Sequence, residues 1–223
     1  MKNDGLFEAI SNKMDGSKFV KFPDVDILFG RLPDITLKSL RDEVYKIRDG
    51  FASSKRYNHR LAGHIEREFD LSHCKSLVND FILEHVEWYD TTYNITPIFL
   101  TKSCRYKIDS LWVNFQKKHE FNPPHNHTGI VSFVIWIDIP YDLDEEEAQF
   151  PEGSARQTSR FGLIASNRGG KMSVDTIPVD KSYEGVVCFF PSWMIHYVNP
   201  FYTSDDYRIS ISGNIFLDVE QTI

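Results

Sequence analysis

The chain contains 223 residues, of which 41% are hydrophobic and 14% aromatic, and it carries a formal net charge of −7. A chain of this size can bury one substantial core, or two small ones at most. The acidic balance argues weakly against sequence-independent binding of nucleic acid, which needs a basic surface. No apolar stretch approaches the roughly 18 residues that span a bilayer.

The cysteines indicate neither a disulfide framework nor a thiolate zinc site. Cys74, Cys104 and Cys188 are far apart and form no C-x-x-C pair. Cys188 lies inside an apolar run, Val186–Phe190, and is expected to fill the core. The first residues show no signal-peptide pattern. We therefore expect a cytoplasmic protein with reduced thiols.

The first hundred residues predict mainly helical structure. Apolar residues at helical spacing predict a helix over Asp34–Arg48, which Gly50 would end. A shorter helix is predicted around Leu61–Phe69, and a third over Lys75–Tyr89. The predicted buried face of the third helix consists of Leu77, Val78, Phe81, Ile82 and His85.

From about Thr101 the sequence changes to short runs rich in β-branched and aromatic residues, which predict β-strands. The runs are Tyr106–Phe115, Gly129–Asp138, Gly185–Phe190 and Tyr207–Phe216, with Phe161–Ala165 and Lys171–Val174 flanking a turn at Asn167–Gly170. The acidic run Asp142–Glu147 interrupts them and is expected to be a solvated loop at the rim of a barrel mouth.

Six or more short strands preceded by helices predict an α+β fold that is mainly β. We expect a jelly roll, that is, a cupin-like double-stranded β-helix, with the N-terminal helices packed on one sheet. The expected organisation is a single domain over residues 1–223. Residues 1–100 would give mainly helical support, and residues 101–217 would form the jelly-roll core.

Three histidines form the candidate metal site. His125 and His127 lie one residue apart on an extended segment, so their side chains are expected on the same side. His196 follows 196 − 127 = 69 residues later, which leaves room for several antiparallel strands. Neutral imidazoles suit Fe(II), Zn(II), Cu(II) and Ni(II). Three facial ligands would leave the open positions that catalysis requires.

A candidate cofactor pocket accompanies this metal site. Arg208 lies on a predicted strand beyond His196, and a guanidinium near a metal suits bidentate binding of a dicarboxylic acid. Ser210 follows on the same strand face and would add a hydroxyl group. Trp112 and Asn114 share a face of the strand before the histidine pair and are predicted to line the pocket.

These residues also have simpler interpretations. Arg208 could pair on the surface with Asp205 or Asp206, a bridge of small value. Asn114 could be structural, and Ser210 could face outward. The other histidines show no chelating spacing and are expected to be surface or structural residues: His59, His64, His73, His85 and His119.

Four stretches, in this order, carry a resemblance to a known family: Leu111–Asn114, Pro124–Gly129 with Ser132, Phe189–Trp193 with His196, and Arg208–Ser212. With them the chain resembles 2-oxoglutarate/Fe(II)-dependent oxygenases of phage and marine bacterial genomes. These oxygenases are a branch of the prolyl-hydroxylase-like superfamily of double-stranded β-helix proteins. The resemblance covers roughly Leu28–Leu217 and is strongest from Leu111 onward.

The resemblance implies a role for each matching residue. His125 and His196 correspond to the first and the distal metal ligands, and Arg208 to the residue that pairs with the C5 carboxylate of 2-oxoglutarate. The implied cofactors are Fe(II), 2-oxoglutarate and dioxygen, with no catalytic residue beyond the metal ligands. The wider superfamily has Asp or Glu where this chain has His127. A His-x-His start recurs in the branch it resembles, so a three-histidine face is predicted.

The implied activity is hydroxylation of a C–H bond in a peptidyl or small-molecule substrate. One alternative is a three-histidine, cupin-type dioxygenase without 2-oxoglutarate, which would use His127 but leave Arg208 idle. Another is a non-catalytic binding or virion-assembly module, because fold alone does not determine function. No nucleic-acid or membrane partner is expected. An uncovered sheet edge could pair two copies as a homodimer, and a phage-encoded protein would work in the host cytoplasm.

Overall fold

The structure is a computed structural model that describes residues 18–20, 27–93, 104–153, 155–166 and 170–218. The helices are α1 (Asp34–Arg48), α2 (Lys75–Tyr93) and α3 (Leu143–Glu147). The strands are β1 (Lys18–Val20), β2 (Ile27–Arg31), β3 (Arg67–Asp70), β4 (Arg105–Gln116), β5 (Asn122–His125), β6 (Val131–Asp138), β7 (Phe161–Ser166), β8 (Met172–Ile177), β9 (Val186–Pro191), β10 (Ile195–Val198) and β11 (Arg208–Asp218). Among the described residues, no helix has the length and apolar character of a membrane span.

The strands form two antiparallel sheets. The major sheet has seven strands in the order β1-β2-β9-β6-β11-β4-β3, and the minor sheet has four in the order β5-β10-β7-β8. The central strands β9, β6, β11 and β4 pair with strands distant in sequence, as in a jelly roll, whereas β1 with β2, β3 with β4 and β7 with β8 pair as sequence neighbours. All six predicted strands are present, with ends that differ by up to three residues from the predicted ones. Most of the turn predicted at Asn167–Gly170 lies outside the described residues.

Both faces of the major sheet are covered, which explains why β6 is almost entirely apolar. Its residues Val131, Phe133 and Ile135 belong to one buried cluster that also contains apolar residues of α1 and α2. Its residues Val134 and Trp136 belong to a second cluster that includes apolar residues of the minor sheet. The order of layers is therefore helices, major sheet, minor sheet. The predicted jelly roll with helices on one sheet is confirmed.

The helix predicted at Asp34–Arg48 is confirmed with the same bounds. Its four apolar residues at helical spacing, Leu37, Leu40, Val44 and Ile47, are all buried. Gly50, just beyond the end, has φ +78°, a left-handed conformation that glycine adopts without a steric penalty. The amphipathic stripe thus fixes the face that packs on the major sheet.

The helix predicted at Lys75–Tyr89 is present but extends to Tyr93. Its buried face differs in part from the predicted one and consists of Val78, Ile82, Val86 and Tyr89. Leu77 is 39% exposed, because it lies about 100° around the helix from the buried stripe. The prediction placed Leu77 on the wrong face.

The helix predicted around Leu61–Phe69 is wrong. The segment contains no α-helix, and it ends in strand β3, which pairs with β4 at the edge of the major sheet. In this pairing Arg67 lies opposite Phe115, and Glu68 lies opposite Asn114. The open edge of β4 supplies backbone hydrogen bonds that outweigh a weak local helical preference.

The acidic run Asp142–Glu147 is also not the solvated loop that was expected. Asp142 caps the short helix α3 by accepting hydrogen bonds from the backbone N–H groups of Asp144 and Glu145. Glu146 is fully buried and accepts hydrogen bonds from the backbone of Tyr202 and Thr203. Glu146 thus holds in place the loop between β10 and β11, which contains Tyr202 and Thr203. Cys188 is buried in the core between the sheets, as expected.

Candidate metal centre and cofactor pocket

The three predicted metal ligands come together in the cavity between the two sheets. His125, the last residue of β5, lies directly opposite His196 of β10. His127 follows β5, and its backbone N–H donates to the carbonyl of Ser192 at 2.9 Å. One possible ligand atom of each histidine lies within 4.8 Å of the other two. Imidazole nitrogens that share a metal at about 2.1 Å lie roughly 3–4 Å apart, so small ring rotations would bring them to one ion.

Backbone carbonyls orient two of the rings. Nδ1 of His125 lies 2.7 Å from the carbonyl oxygen of Pro123, and Nδ1 of His196 lies 3.0 Å from that of Met194. Since a carbonyl only accepts, Nδ1 carries the proton and Nε2 is left with its lone pair. The His127 ring packs edge-on against Trp112, with centroids 5.7 Å apart. Two of the three ligands are thus set in the metal-binding tautomer.

Burial keeps these imidazoles neutral. It lowers the pKa of His125, and it lowers that of His127 to about 4, with the nearby His125 as a second cause. Burial also holds the pKa of His196 well below its usual value. The charges of the other two histidines are smaller causes of the same shift. A metal can therefore bind at neutral pH without displacing protons from the ring nitrogens.

The donor set fits a metal with open coordination positions. Three neutral imidazoles and no carboxylate form the cluster among the described residues, which suits Fe(II) as well as Zn(II), Cu(II) and Ni(II). A closed structural site would have four protein ligands, whereas three leave room for exogenous ligands. The described lining of this cavity contains no other histidine.

A second group of potential ligands does not fit a metal as well. Glu43, His73 and Cys74 also place ligand atoms within 4.8 Å of one another. However, the Glu43 carboxylate pairs with Lys46 at 2.5 Å, and burial raises the pKa of the Cys74 thiol to about 12. A protonated thiol is a poor metal ligand.

Arg208 is a buried cation in the same cavity. It is 4% exposed and lines the cavity together with the three histidines. Its five N–H groups all donate to neutral acceptors, namely Gln116 Oε1 (from Nε and Nη2), the Tyr141 hydroxyl, and the carbonyls of Ser159 and Asn199. No ion pair among the described residues includes Arg208, and Asp205 pairs instead with Lys118 at 2.7 Å.

The other predicted pocket residues form one hydrogen-bonded group on the inner face of the major sheet. Asn114 Oδ1 accepts from Trp112 Nε1 at 3.1 Å, and Asn114 Nδ2 donates to Ser210 Oγ at 3.2 Å. All three residues line the cavity. Tyr57 stacks on the Trp112 ring, with centroids 5.5 Å apart. The structure brings these residues together, and their contact with a cofactor stays a prediction.

Sequence reasoning missed two residues that line this pocket, Gln116 and Glu68, and one residue behind it, Tyr141, that contacts Arg208. Gln116 follows Asn114 at strand spacing, so the period of two could have identified it. Tyr141 reaches Arg208 from the segment before α3, where no pattern marks it. Glu68 lies on β3, which was predicted as helix, so its inward direction was hidden.

Together the fold and the site define a jelly-roll protein with a candidate metal centre and a buried guanidinium in one cavity. Residues 110–214 match a family model described as "Putative 2OG-Fe(II) oxygenase". The match includes the three histidines and Arg208. No curated protein matches the chain. This part of the chain, just under half of it, is similar to the 2OG-Fe(II) oxygenase family. The predicted cofactors, Fe(II), 2-oxoglutarate and dioxygen, are those of this family.

Solved structures show a similar fold at low sequence identity. The non-heme alpha ketoglutarate dependent epimerase SnoN from nogalamycin biosynthesis has a TM-score of 0.52 and 12% identity, covering 97% of this chain and 82% of that chain. SnoN in complex with Fe³⁺, alpha ketoglutarate and nogalamycin RO has a TM-score of 0.51 and 11% identity, covering 96% and 84%. A Pseudomonas putida prolyl-4-hydroxylase has a TM-score of 0.49 and 11% identity, covering 94% and 95%. The two SnoN structures agree with the predicted fold class.

Proposed function

We propose that the protein is a non-haem Fe(II) oxygenase that uses 2-oxoglutarate and dioxygen to hydroxylate a C–H bond of a peptidyl or small-molecule substrate. One observation carries the proposal. Three neutral imidazoles line the same cavity as a buried guanidinium that has no acidic partner among the described residues. A jelly roll needs neither the imidazoles nor the guanidinium for its stability. The imidazoles suit Fe(II), and the guanidinium suits a carboxylate of 2-oxoglutarate.

The three histidines would hold iron through their free ring nitrogens. With iron and cosubstrate bound, 2-oxoglutarate and dioxygen are converted to succinate and CO₂, and one oxygen atom enters the substrate. The protein's own contribution is orientation and shielding. The carbonyls of Pro123 and Met194 fix two ring tautomers. The aromatic walls, with Trp136, Phe161 and Phe190, exclude water.

Arg208 would bind the C5 carboxylate of 2-oxoglutarate through the edge that faces the cavity. On that edge Nε and Nη2 donate to Gln116 Oε1 at 3.0 and 2.7 Å. Gln116 lines the cavity, whereas the acceptors on the other edge are absent from its described lining. A carboxylate accepting from the same two N–H groups would form a stronger, charge-assisted pair. We infer that the Gln116 oxygen holds the place of the cosubstrate carboxylate and is displaced by it.

A second candidate function has one observation in its favour. The metal cluster has no carboxylate among the described residues, as in a three-histidine dioxygenase that works without 2-oxoglutarate. That function gives no role to the buried charge of Arg208, and burying a charge without a partner is costly. We therefore place it second.

The direct test measures succinate from the Fe(II)-loaded protein supplied with 2-oxoglutarate and dioxygen. We expect succinate from the wild type and from His59→Ala, which changes an exposed histidine, and none from His196→Ala. Oxygen consumption with a substrate but without 2-oxoglutarate would favour the second candidate. Absence of metal uptake would favour a non-catalytic module.

A further inference from the structure

We propose that Glu68 determines substrate specificity in this cavity by binding a cationic N–H donor, a primary ammonium or guanidinium at the end of an alkyl chain. The identification of this ligand as the substrate rests on the proposed function. The binding site itself rests on the burial, the hydrogen bonds and the neighbours of Glu68.

Glu68 is a buried acid with one free oxygen. It is 1% exposed, lies opposite Asn114 on the inner face of the major sheet, and lines the cavity. Its Oε2 accepts from Asn58 Nδ2 at 3.1 Å. Its Oε1 is buried and has no donor among the described residues. Leaving a buried acceptor unpaired is unfavourable, so a donor from a ligand would satisfy it.

The carboxyl group of Glu68 is held in place before any ligand binds. Asn58 Nδ2 also donates to the carbonyls of Ile65 and Glu66 at 2.8 and 3.1 Å. These bonds tie the Asn58 amide to the chain that leads into β3. Because this amide fixes Oε2, the direction of Oε1 is fixed as well. Such preorganisation lowers the entropy that a ligand must lose on binding.

No cation among the described residues pairs with this carboxyl group. None of the ion pairs among the described residues includes Glu68, and Arg208 donates its N–H groups elsewhere. Burial raises the pKa of Glu68 to about 7, and the negative charge of Glu120 adds to this effect. A ligand cation would supply the missing compensating charge. The cavity thus contains a buried cation and a buried acid that do not pair with each other.

The surroundings of Glu68 suit an alkyl chain that ends in N–H donors. Leu61, Ala62 and Ile65 line the same cavity and would contact the alkyl part. Asn122 also lines it, and its buried Oδ1 has no donor among the described residues. A Cβ at Gly63 would lie 1.8 Å from that oxygen, so a larger residue there would force the Asn122 side chain to move. Two acceptors without a donor among the described residues, Glu68 Oε1 and Asn122 Oδ1, favour a ligand with several N–H groups.

The test measures binding of n-pentylammonium to the full-length, metal-free protein at pH 8 by ligand-observed NMR, with 1-pentanol as the neutral isostere. The proteins are the wild type, Glu68→Gln, and Glu66→Gln, which removes an exposed charge from the same segment. We expect the wild type and Glu66→Gln to bind the ammonium ion equally. Glu68→Gln should bind it at least about tenfold more weakly. Pentanol should bind all three weakly and alike.

Equal ammonium binding to the wild type and Glu68→Gln would overturn the proposal, as would pentanol binding as tight as that of the cation. Glutamine is isosteric with glutamate and adds no charge, so folding of the variant can be checked separately by circular dichroism. The measurement needs neither iron nor 2-oxoglutarate. An inactive oxygenase would therefore leave this result unaffected, and a failed cation test would leave the succinate result unaffected.

Discussion

Replacing Glu68 by glutamine shows how much the free energy of unfolding decreases when the Glu68 carboxyl group ionises. Its pKa is raised from 4.5 to about 7, mainly by burial. The folded state therefore holds the proton more tightly than the unfolded chain does. This contribution to stability is fully present below pH 4.5 and is lost as the pH rises through 7. A difference of about 2.5 pH units corresponds to about 3 kcal/mol.

The assay is urea unfolding of the metal-free wild type and Glu68→Gln at pH 5, 6, 7 and 8. Glutamine does not titrate, and the other titratable groups are shared, so their effects largely cancel in the difference. We expect the free energy of unfolding of the variant to gain about 2–3 kcal/mol relative to the wild type between pH 5 and pH 8. Glu66→Gln should follow the wild type. Parallel curves for Glu68→Gln and the wild type would refute the reasoning, because the carboxyl group would then not be destabilised by burial.

Three other substitutions test the pocket and its support. Arg208→Lys keeps the charge but loses the fork, so equilibrium dialysis of the metal-loaded protein should show 2-oxoglutarate binding about tenfold weaker; unchanged binding would remove Arg208 from the site. Glu146→Gln weakens the charge-assisted hydrogen bonds from the backbone N–H groups of Tyr202 and Thr203 and from the Thr203 hydroxyl, and it should lower the free energy of unfolding by about 2 kcal/mol. Glu145→Gln, at an exposed position, should lower it little, and equal effects would contradict the role of Glu146. Gly213→Ala places a Cβ 2.6 Å from Phe133 Cζ and should cost about 1–3 kcal/mol in urea unfolding, so a neutral result would show that the core can relax there.

The sequence predicted the parts of the fold that depend on strong local patterns. The stripe Leu37, Leu40, Val44 and Ile47 identified α1, because a helix with one buried face must repeat apolar residues at this spacing. The long apolar strands were evident for a similar reason, since both faces of the major sheet are covered. The segment Leu61–Phe69 was misread because its strand character comes from the edge of β4, which no local pattern reveals.

The candidate site was predictable where spacing along a strand fixes direction. His125 and His127 could be paired with His196 because a barrel brings distant strands together. Glu146 and Glu68 could not be recognised as buried, because acidic residues are usually solvated. Their burial depends on residues far away in the chain, namely Thr203, which donates to Glu146, and Asn114, which lies opposite Glu68 on the paired strand.

The most direct test of the metal centre is the amount of Fe(II) retained after anaerobic dialysis by the wild type, by His125→Ala, His127→Ala and His196→Ala, and by the control His59→Ala. We expect about one iron per chain in the wild type and the control, and an affinity at least about tenfold lower in each of the other three variants. Equal iron retention in all five proteins would contradict a centre built from these three histidines.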